Sequence, residues 1–133
     1  MHAGVIERQV PMMHVQTADP ANPGGSAVPV LVDMCWIASA PWSVRVGFPR
    51  DGEQVVWDFG LDLLAAGMVQ PQPGVAEDGP MLVWTSAEQR EATVLGTTQD
   101  TTGRACWLQA RTSDLAEFLA DALRSLAIQT AAA

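Results

Sequence analysis

Residues 42–67 read WSVRVGFPRDGEQVVWDFGLDLLAAG, and this stretch decides the fold. Apolar and polar side chains alternate in residues 42–48 and again in residues 53–59, as they do in half-buried β-strands. The Asp-Gly pair at 51–52 is a strong signal for a tight hairpin turn. The stretch therefore predicts a β-hairpin over 42–59 with these side chains facing the core: Trp42, Val44, Val46, Phe48, Val55, Trp57 and Phe59.

A short helix is predicted directly after the hairpin, at residues 60–67. Leu61, Leu64 and Ala65 share one face of this helix, and Gly67 fits the position of a helix C-cap. The residues that follow, 69–80, are rich in proline and glycine and are predicted to form a loop.

The rest of the chain continues the alternation of strands and a helix. Residues 1–17 favour an extended segment, which Pro11 restricts to a sheet edge or interrupts because proline has no N–H to donate. Residues 18–27 are loop by composition. Runs rich in β-branched and bulky residues predict four more strands, at 28–37, 81–85, 91–98 and 104–110. Within the first of these strands, Asp33 is expected to face outwards.

A long amphipathic helix is predicted at residues 112–129. Its apolar positions recur with helical spacing, at Leu115, Phe118, Leu119, Ala122, Leu123 and Leu126. Asp114 with Glu117 resembles an N-terminal capping pair. Two rounds of a strand meander, each followed by a helix, predict a single α+β domain with antiparallel β-sheets.

The charge of the chain is strongly negative, at −8 with a sequence pI near 4.4. All seven basic residues are arginines, and they are scattered along the chain. Proteins that bind nucleic acid or anionic membranes need a positive patch, so neither partner is expected. The sequence has no apolar run long enough to span a bilayer and no secretory signal. A cytoplasmic protein without a transmembrane segment is therefore expected.

Groups that carry chemistry are few. Cys35 and Cys106 lie outside any CxxC motif and are expected to be buried free thiols. The two histidines, His2 and His14, do not occur with metal-ligand spacing, so no metal site and no cofactor are expected. A His14–cysteine pair is the one nucleophilic arrangement left open. With no Lys, no GxSxG and no glycine-rich phosphate loop, the sequence predicts a binding or assembly module and not an enzyme.

Five tryptophans are a large number for 133 residues. Trp57 alternates with Val55 and Phe59, which is typical of core packing. Burial at a subunit interface is the alternative for the other tryptophans, because interfaces favour Trp and Met.

The segment from 41 to 86 resembles the SsgA-like family of actinobacterial sporulation and cell-division proteins. Thirteen residues carry the resemblance: Pro41, Trp42, Val44, Phe48, Trp57, Phe59, Asp62, Leu63, Leu64, Gly67, Val83, Trp84 and Ser86. Most are apolar and are read as holding the fold, and Asp62 is read as a local cap or ion-pair partner. The resemblance can be extended over about 28–130, which leaves 1–27 as a divergent N-terminal segment of a strand and a loop.

Several departures mark the chain as similar to a divergent member. Leu61 stands where the family has an arginine, Thr85 and Pro80 replace a family proline and aspartate, and Trp36-Ile37 replaces Tyr-Asp. A partner contact that uses the family arginine is therefore in doubt.

The resemblance implies a non-enzymatic role. Family members help to place the sporulation septum by recruiting or localising the tubulin-like division GTPase FtsZ, or act at sites of peptidoglycan remodelling. It also implies a whirly-like architecture, assembly as a homo-oligomer such as a trimer, partners among division proteins or SsgA-like paralogues, and a place at the septum. Two alternatives stay open: a nucleic-acid-binding regulator on a whirly-like fold, which the acidic charge disfavours, and a small enzyme or ligand carrier.

Overall fold

The computed structural model describes residues 4–15, 27–50, 52–69, 74–75, 81–85, 92–97 and 106–132. The strands in these residues are β1 (Val5–Val15), β2 (Ala27–Ile37), β3 (Ser43–Arg50), β4 (Glu53–Gly60), β5 (Gly74–Val75), β6 (Met81–Thr85), β7 (Ala92–Thr97) and β8 (Cys106–Arg111). The helices are α1 (Leu61–Gly67), which follows β4, and α2 (Thr112–Ala132), which follows β8.

All described strands form a single antiparallel sheet in the order β4-β3-β2-β1-β8-β7-β6-β5. It consists of two meanders, β1–β4 and β5–β8, which meet where β1 pairs with β8. Each meander is followed by one helix. The predicted α+β class, with an antiparallel sheet, a short helix and a long C-terminal helix, is confirmed.

The predicted hairpin of β3 and β4 is confirmed. Eight cross-strand pairs run from Ser43 and Gly60 to Arg50 and Glu53 at the turn. Gly52 has φ of 80°, a left-handed conformation that glycine adopts without the steric cost of a Cβ.

The placement of the first strand at a sheet edge was wrong, because β1 lies in the middle of the sheet between β2 and β8. β1 pairs with β2 over its whole length, whereas its pairing with β8 within the described residues covers Met13–Val15. Around Pro11, β1 therefore has no described strand on its second side, which suits a residue without an N–H. The separation of 1–27 from 28–130 as a divergent segment stays a prediction, although β1 and β2 share one sheet.

The core lies on one face of the sheet, called here the inner face. Its buried sheet residues include Val10, Met12, Val32, Met34, Trp36, Val44, Val46, Phe48, Trp57, Phe59, Leu95 and Leu108. Leu115, Phe118, Leu119 and Ala122 of α2 belong to the same core. Leu126 is partly buried, but Leu123 is exposed, so the apolar stripe of α2 is narrower than predicted. Asp33 is exposed as expected.

Helix α1 reaches the sheet through a close approach at Gly67. A Cβ at Gly67 would lie 2.3 Å from the Cγ1 of Val83 and 2.8 Å from the Val83 carbonyl oxygen. The predicted role of Gly67 as a left-handed C-cap is wrong, since the helix includes Gly67 and continues into Met68 with φ of −68°. Glycine is needed here because a side chain would not fit.

The remaining differences concern the ends of elements. The two residues of β5 fall in the predicted loop 69–80, because so short a strand leaves no alternating pattern. Helix α2 already begins at Thr112, so Asp114 lies within the first turn and does not cap the helix. The first residues of the predicted strands 91–98 and 104–110, before Ala92 and Cys106, lie outside the described residues.

Candidate interaction site

The described residues of the family motif lie on β3, β4, α1 and β6 and the turn before β3, and most of them are core residues. Buried members are Val44, Phe48, Trp57, Phe59, Leu64, Gly67 and Val83. Leu63 is partly buried against the same core. The rings of Phe48 and Trp57 meet edge to face, with centroids 4.9 Å apart. These side chains pack the β3–β4 hairpin, α1 and β6 together in one core.

The turn at Pro41 and Trp42 is fixed through its backbone. The indole nitrogen of Trp36 donates a hydrogen bond to the carbonyl oxygen of Pro41, at 2.9 Å. The backbone N–H of Leu61, the first residue of α1, donates to the carbonyl oxygen of Trp42, also at 2.9 Å. The turn thus connects the buried Trp36 to the beginning of α1.

The side chain of Trp42 contradicts its predicted place in the core, because it is 66% exposed. Trp42 precedes the first residue of β3 and belongs to the turn, so the alternation of the strand does not reach it. Among the motif side chains that the structure describes, it is the one large apolar group with most of its surface open to solvent. Alternation alone does not reveal this exposure, because Trp42 continues the pattern of β3 without a break.

Other predicted motif residues have varied surroundings. Asp62 is exposed in the first turn of α1, where a negative charge is favoured by the helix dipole, but the helix has no side-chain cap. Leu61, at the position of the family arginine, is only 4% exposed and belongs to the core. Ser86 and the side chain of Trp84 lie outside the described residues.

The described tryptophans other than Trp42 confirm the core interpretation. Trp36, Trp57 and Trp107 are all buried. Trp107 lies close to Gly96 on the neighbouring strand, where a Cβ would come within 2.8 Å of the indole ring.

The structure brings together His14 and Cys106, with Nε2 and Sγ 3.3 Å apart. His14 is 5% exposed and Cys106 is 2% exposed, and the imidazole also packs against Phe48. A nucleophile must reach its substrate, which this burial prevents in the folded protein. The pair is therefore a contact within the core.

Cys35 differs from its expected burial, because it stands half-buried on the opposite face of the sheet. Burial raises the pKa of the Cys35 thiol, the nearby carboxylate of Glu7 raises it further, and the guanidinium of Arg45 lowers it. A raised pKa reduces the thiolate fraction at neutral pH, which does not favour nucleophilic chemistry.

Within the described ranges, no three side chains of His, Cys, Asp or Glu come together in a way that would hold a metal ion. In the same ranges, neither helix combines the length and the apolar character needed to cross a membrane.

The part of the sequence that contains the motif also matches a known protein family. Residues 30–130 match the sequence profile of the family described as Streptomyces sporulation and cell division protein, SsgA. The chain belongs to the SsgA family. This match contains every motif residue named above and confirms the resemblance seen in the sequence.

One relative of this SsgA family member is the sporulation-specific cell division protein SsgB of Frankia casuarinae. The two are 30% identical over 95 residues, which cover 71% of this chain and 64% of the Frankia protein. The match thus spans slightly less than two thirds of that relative.

Two solved structures share the fold of this SsgA family member. One comes from work on SsgB mutations and longitudinal cell division during sporulation of Streptomyces coelicolor, with a TM-score of 0.71, 22% identity, and 92% and 89% of the two chains covered. The other is an SsgA-like sporulation-specific cell division protein from Thermobifida fusca, with a TM-score of 0.69, 20% identity, and 93% and 82% covered.

Proposed function

We propose that this protein is a non-enzymatic scaffold of sporulation-specific cell division that recruits or localises the division GTPase FtsZ at the septum. The observation that carries the proposal is the exposure of Trp42 within a family motif whose other described large apolar side chains are buried or, for Leu63, partly buried. Those buried side chains account for the fold. Trp42 has no comparable role in the core, and we therefore assign it to partner binding.

The turn that carries Trp42 suits a binding role. Tryptophan is enriched among the residues that dominate interface energies. Hydrogen bonds from Leu61 and Trp36 hold the carbonyl groups of Trp42 and Pro41. A backbone fixed before binding loses less conformational freedom on association, so more of the contact energy appears as affinity.

We further propose that the protein acts as a homo-oligomer, such as a trimer. Several copies of the Trp42 surface on one assembly would raise the avidity for a polymer without a tight single contact. Strand β4 supports this proposal, because it is an eight-residue strand at one edge of the sheet and could pair with another chain. Sedimentation velocity at several concentrations tests the oligomeric state.

The alternative role as a nucleic-acid-binding regulator is not favoured by charge. The side of the sheet away from the core pairs Asp58 of β4 with Arg45 of β3 and carries the carboxylates of Glu7 and Asp33 on β1 and β2. These carboxylates would repel the phosphates of a nucleic acid. The small-enzyme alternative has little support for a different reason, since the nucleophile–base pair that the structure brings together, His14 with Cys106, is buried.

GTP-dependent co-sedimentation with FtsZ from the same organism tests the proposed recruitment. Wild-type protein is compared with Trp42→Ala and with Ile128→Ala, a control on α2 whose exposed fraction of 62% is close to the 66% of Trp42. We expect wild type and Ile128→Ala to pellet with the polymer. Trp42→Ala should weaken binding about tenfold or more, as loss of an interface hot spot does.

The outcomes test the recruitment of FtsZ separately from the contribution of Trp42 to it. If wild-type protein at high concentration does not pellet with the GTP-assembled polymer, direct recruitment is wrong. If wild type and Trp42→Ala pellet equally, recruitment stands and the assignment of Trp42 to it is wrong. Circular dichroism of each variant confirms that it is folded.

A further inference from the structure

The face of the sheet opposite the core, called here the outer face, is uncovered on β1–β4. Cross-strand register places Val5 beside Ile37 and Pro11 beside Leu31 on this face. Four large apolar side chains on it are exposed: Val5 (43%), Leu31 (52%), Ile37 (39%) and Val56 (52%). The same face is buried further along the sheet, at Ala92, Gly96 and Trp107. Among the described residues, the exposed large apolar side chains of this face therefore lie on the first meander.

Acidic side chains stand between the apolar ends of the outer face. One row across the strands runs Glu7, Cys35, Arg45 and Asp58, and the next runs Gln9, Asp33, Gly47 and Val56. Among the described residues, Arg45 is the one cation on this face of β1–β4. Its Nε lies 3.3 Å from the Oδ1 of Asp58, so its charge is already engaged. The centre of the face, at Glu7 and Asp33, is therefore negative.

The centre of this face is also concave. A groove of about 530 Å³ is lined by three consecutive cross-strand pairs: Glu7 with Cys35, Arg8 with Met34, and Gln9 with Asp33. The side chains of the first and third pairs stand on the outer face, whereas the middle pair faces the other way: Met34 is buried in the core, and the guanidinium of Arg8 pairs with Asp121 and Glu117 of α2. The groove consequently opens among the acidic side chains.

We propose that the outer face of β1–β4 binds a segment of a partner protein in which an arginine or lysine stands between two apolar groups. Along β2, Ile37 and Leu31 are six residues apart, which is about 20 Å in a strand. The apolar groups of the partner would contact Val5 and Ile37 at one end and Leu31 at the other. The basic side chain would enter the groove between Glu7 and Asp33.

Charge selects this occupant over a second copy of the chain. Two copies joined through this face would place the carboxylates of Glu7 and Asp33 against the same groups of the other copy, which is repulsive. A basic partner segment gains from the same charges. The proposal rests on residues of β1 and β2 and not on Trp42, so it goes beyond the recruitment of FtsZ and does not depend on it.

The test begins with a photo-crosslinking amino acid at position 31 of the full-length protein in cells of the source organism. Position 123 serves as the control, because Leu123 is similarly exposed, at 49%, but lies on α2. We expect crosslinks from position 31 to one protein segment that carries a cation between apolar residues, and at least fivefold fewer from position 123. Mass spectrometry gives the sequence of the crosslinked segment.

The crosslinked segment is then synthesised, and its affinity for the purified protein is measured by fluorescence anisotropy. Asp33→Asn and Leu31→Ser are compared with Glu53→Gln and Leu123→Ser, which make the same changes at exposed positions off this face. We expect each outer-face variant to weaken binding about fivefold to tenfold, and each control to bind like wild type. Added salt should weaken wild-type binding, and Asp33→Asn should reduce that salt dependence.

Three results would overturn the proposal: crosslinks from position 31 to a second copy of this chain, crosslinks to an acidic or uncharged segment, or no excess over position 123. Equal affinity of Asp33→Asn and wild type for the segment would also overturn it. These results do not depend on co-sedimentation with FtsZ. In that experiment the outer-face variants are measured separately from Trp42→Ala.

Discussion

The Nε2 of His14 lies 3.3 Å from the Sγ of Cys106, and this contact joins strands β1 and β8 although the two residues are 92 positions apart in sequence. Both side chains are buried, and the imidazole also packs against Phe48 of β3. The contact lies at the seam between the two meanders. Among the described residues, the backbone pairing at this seam covers three residues of β1, from Met13 to Val15.

Because this buried contact joins the two meanders, we expect it to contribute to stability. His14→Ala removes the contact with Cys106 and leaves a cavity beside Phe48, so it should lower the free energy of unfolding by about 2–4 kcal/mol. Urea denaturation followed by circular dichroism measures the change. Gln9→Ala on the exposed face of the same strand is the control and should change stability by less than about 0.5 kcal/mol. Equal stability of the two variants would contradict a contribution of the His14–Cys106 contact to stability.

The close approach of α1 to β6 gives a second prediction. Gly67→Ala places a Cβ 2.3 Å from the Val83 side chain and 2.8 Å from its backbone, so either the helix or β6 must move. We expect a loss of about 3 kcal/mol or more in the free energy of unfolding. At Gly60 the nearest atom to an added Cβ is 3.8 Å away, and Gly60→Ala should cost about 1 kcal/mol or less. Thermal denaturation of the two variants shows whether the loss of stability comes from the steric clash at Gly67 or from replacing any glycine by alanine.

Replacing each of two tryptophans of the family motif by alanine should have very different effects on stability. Trp57 is buried against Phe48 and Phe59, and Trp57→Ala should cost about 3–5 kcal/mol or prevent folding. Trp42→Ala should change the free energy of unfolding by less than about 1 kcal/mol, because its side chain is mostly solvated. Denaturant titrations report both values. A Trp42→Ala variant as unstable as Trp57→Ala would show that Trp42 is a structural residue.

The thiol of Cys35 gives a prediction about pH. Burial and the carboxylate of Glu7 raise its pKa, whereas Arg45 lowers it. The pH–rate profile of alkylation by iodoacetamide should therefore have a midpoint above that of a cysteine peptide. Glu7→Gln should move the midpoint down and Arg45→Gln should move it up. Mass spectrometry locates the adduct, and the buried Cys106 should stay unmodified in the folded protein.

The same shift has a consequence for stability. Above the ordinary thiol pKa, the unfolded chain releases the proton of Cys35 while the folded chain retains it, so stability should fall as pH rises. Glu7→Gln should reduce this alkaline loss. A midpoint for Cys35 at or below that of the peptide would rule out the proposed electrostatics.

The elements from β2 to α1 could be predicted from the sequence because local signals agree there. Alternation, the Asp-Gly turn and the helical spacing at Leu61 and Leu64 all give the same answer. Strand β1 was misplaced because Pro11 gives a local signal, whereas a strand's position in a sheet depends on distant partners. The pairing of Met13 with Gln109 leaves no trace in either segment alone.

The candidate site was less accessible to sequence reasoning. Trp42 continues the alternation of β3, so its side chain was assigned to the core; its position before the strand, in a turn, decides its exposure. The outer face likewise depends on the register that aligns Glu7, Cys35 and Arg45 across three strands. The sequence does not predict which cysteine His14 contacts, because no spacing rule connects residues as far apart as His14 and Cys106.

The pairing of β1 with β8 also determines when the sheet can be completed during synthesis. At about 5–20 residues per second, a chain needs about 5–20 s to add the 92 residues that separate His14 from Cys106. During that time β8 has not yet been synthesised, so the edge of β1 at Met13–Val15 lacks the strand with which it pairs in the folded protein. Unpaired strand edges are prone to pair with the wrong strand. Slow codons placed before β8 would lengthen this wait, and a chaperone that covers nascent strands would protect the chain through it.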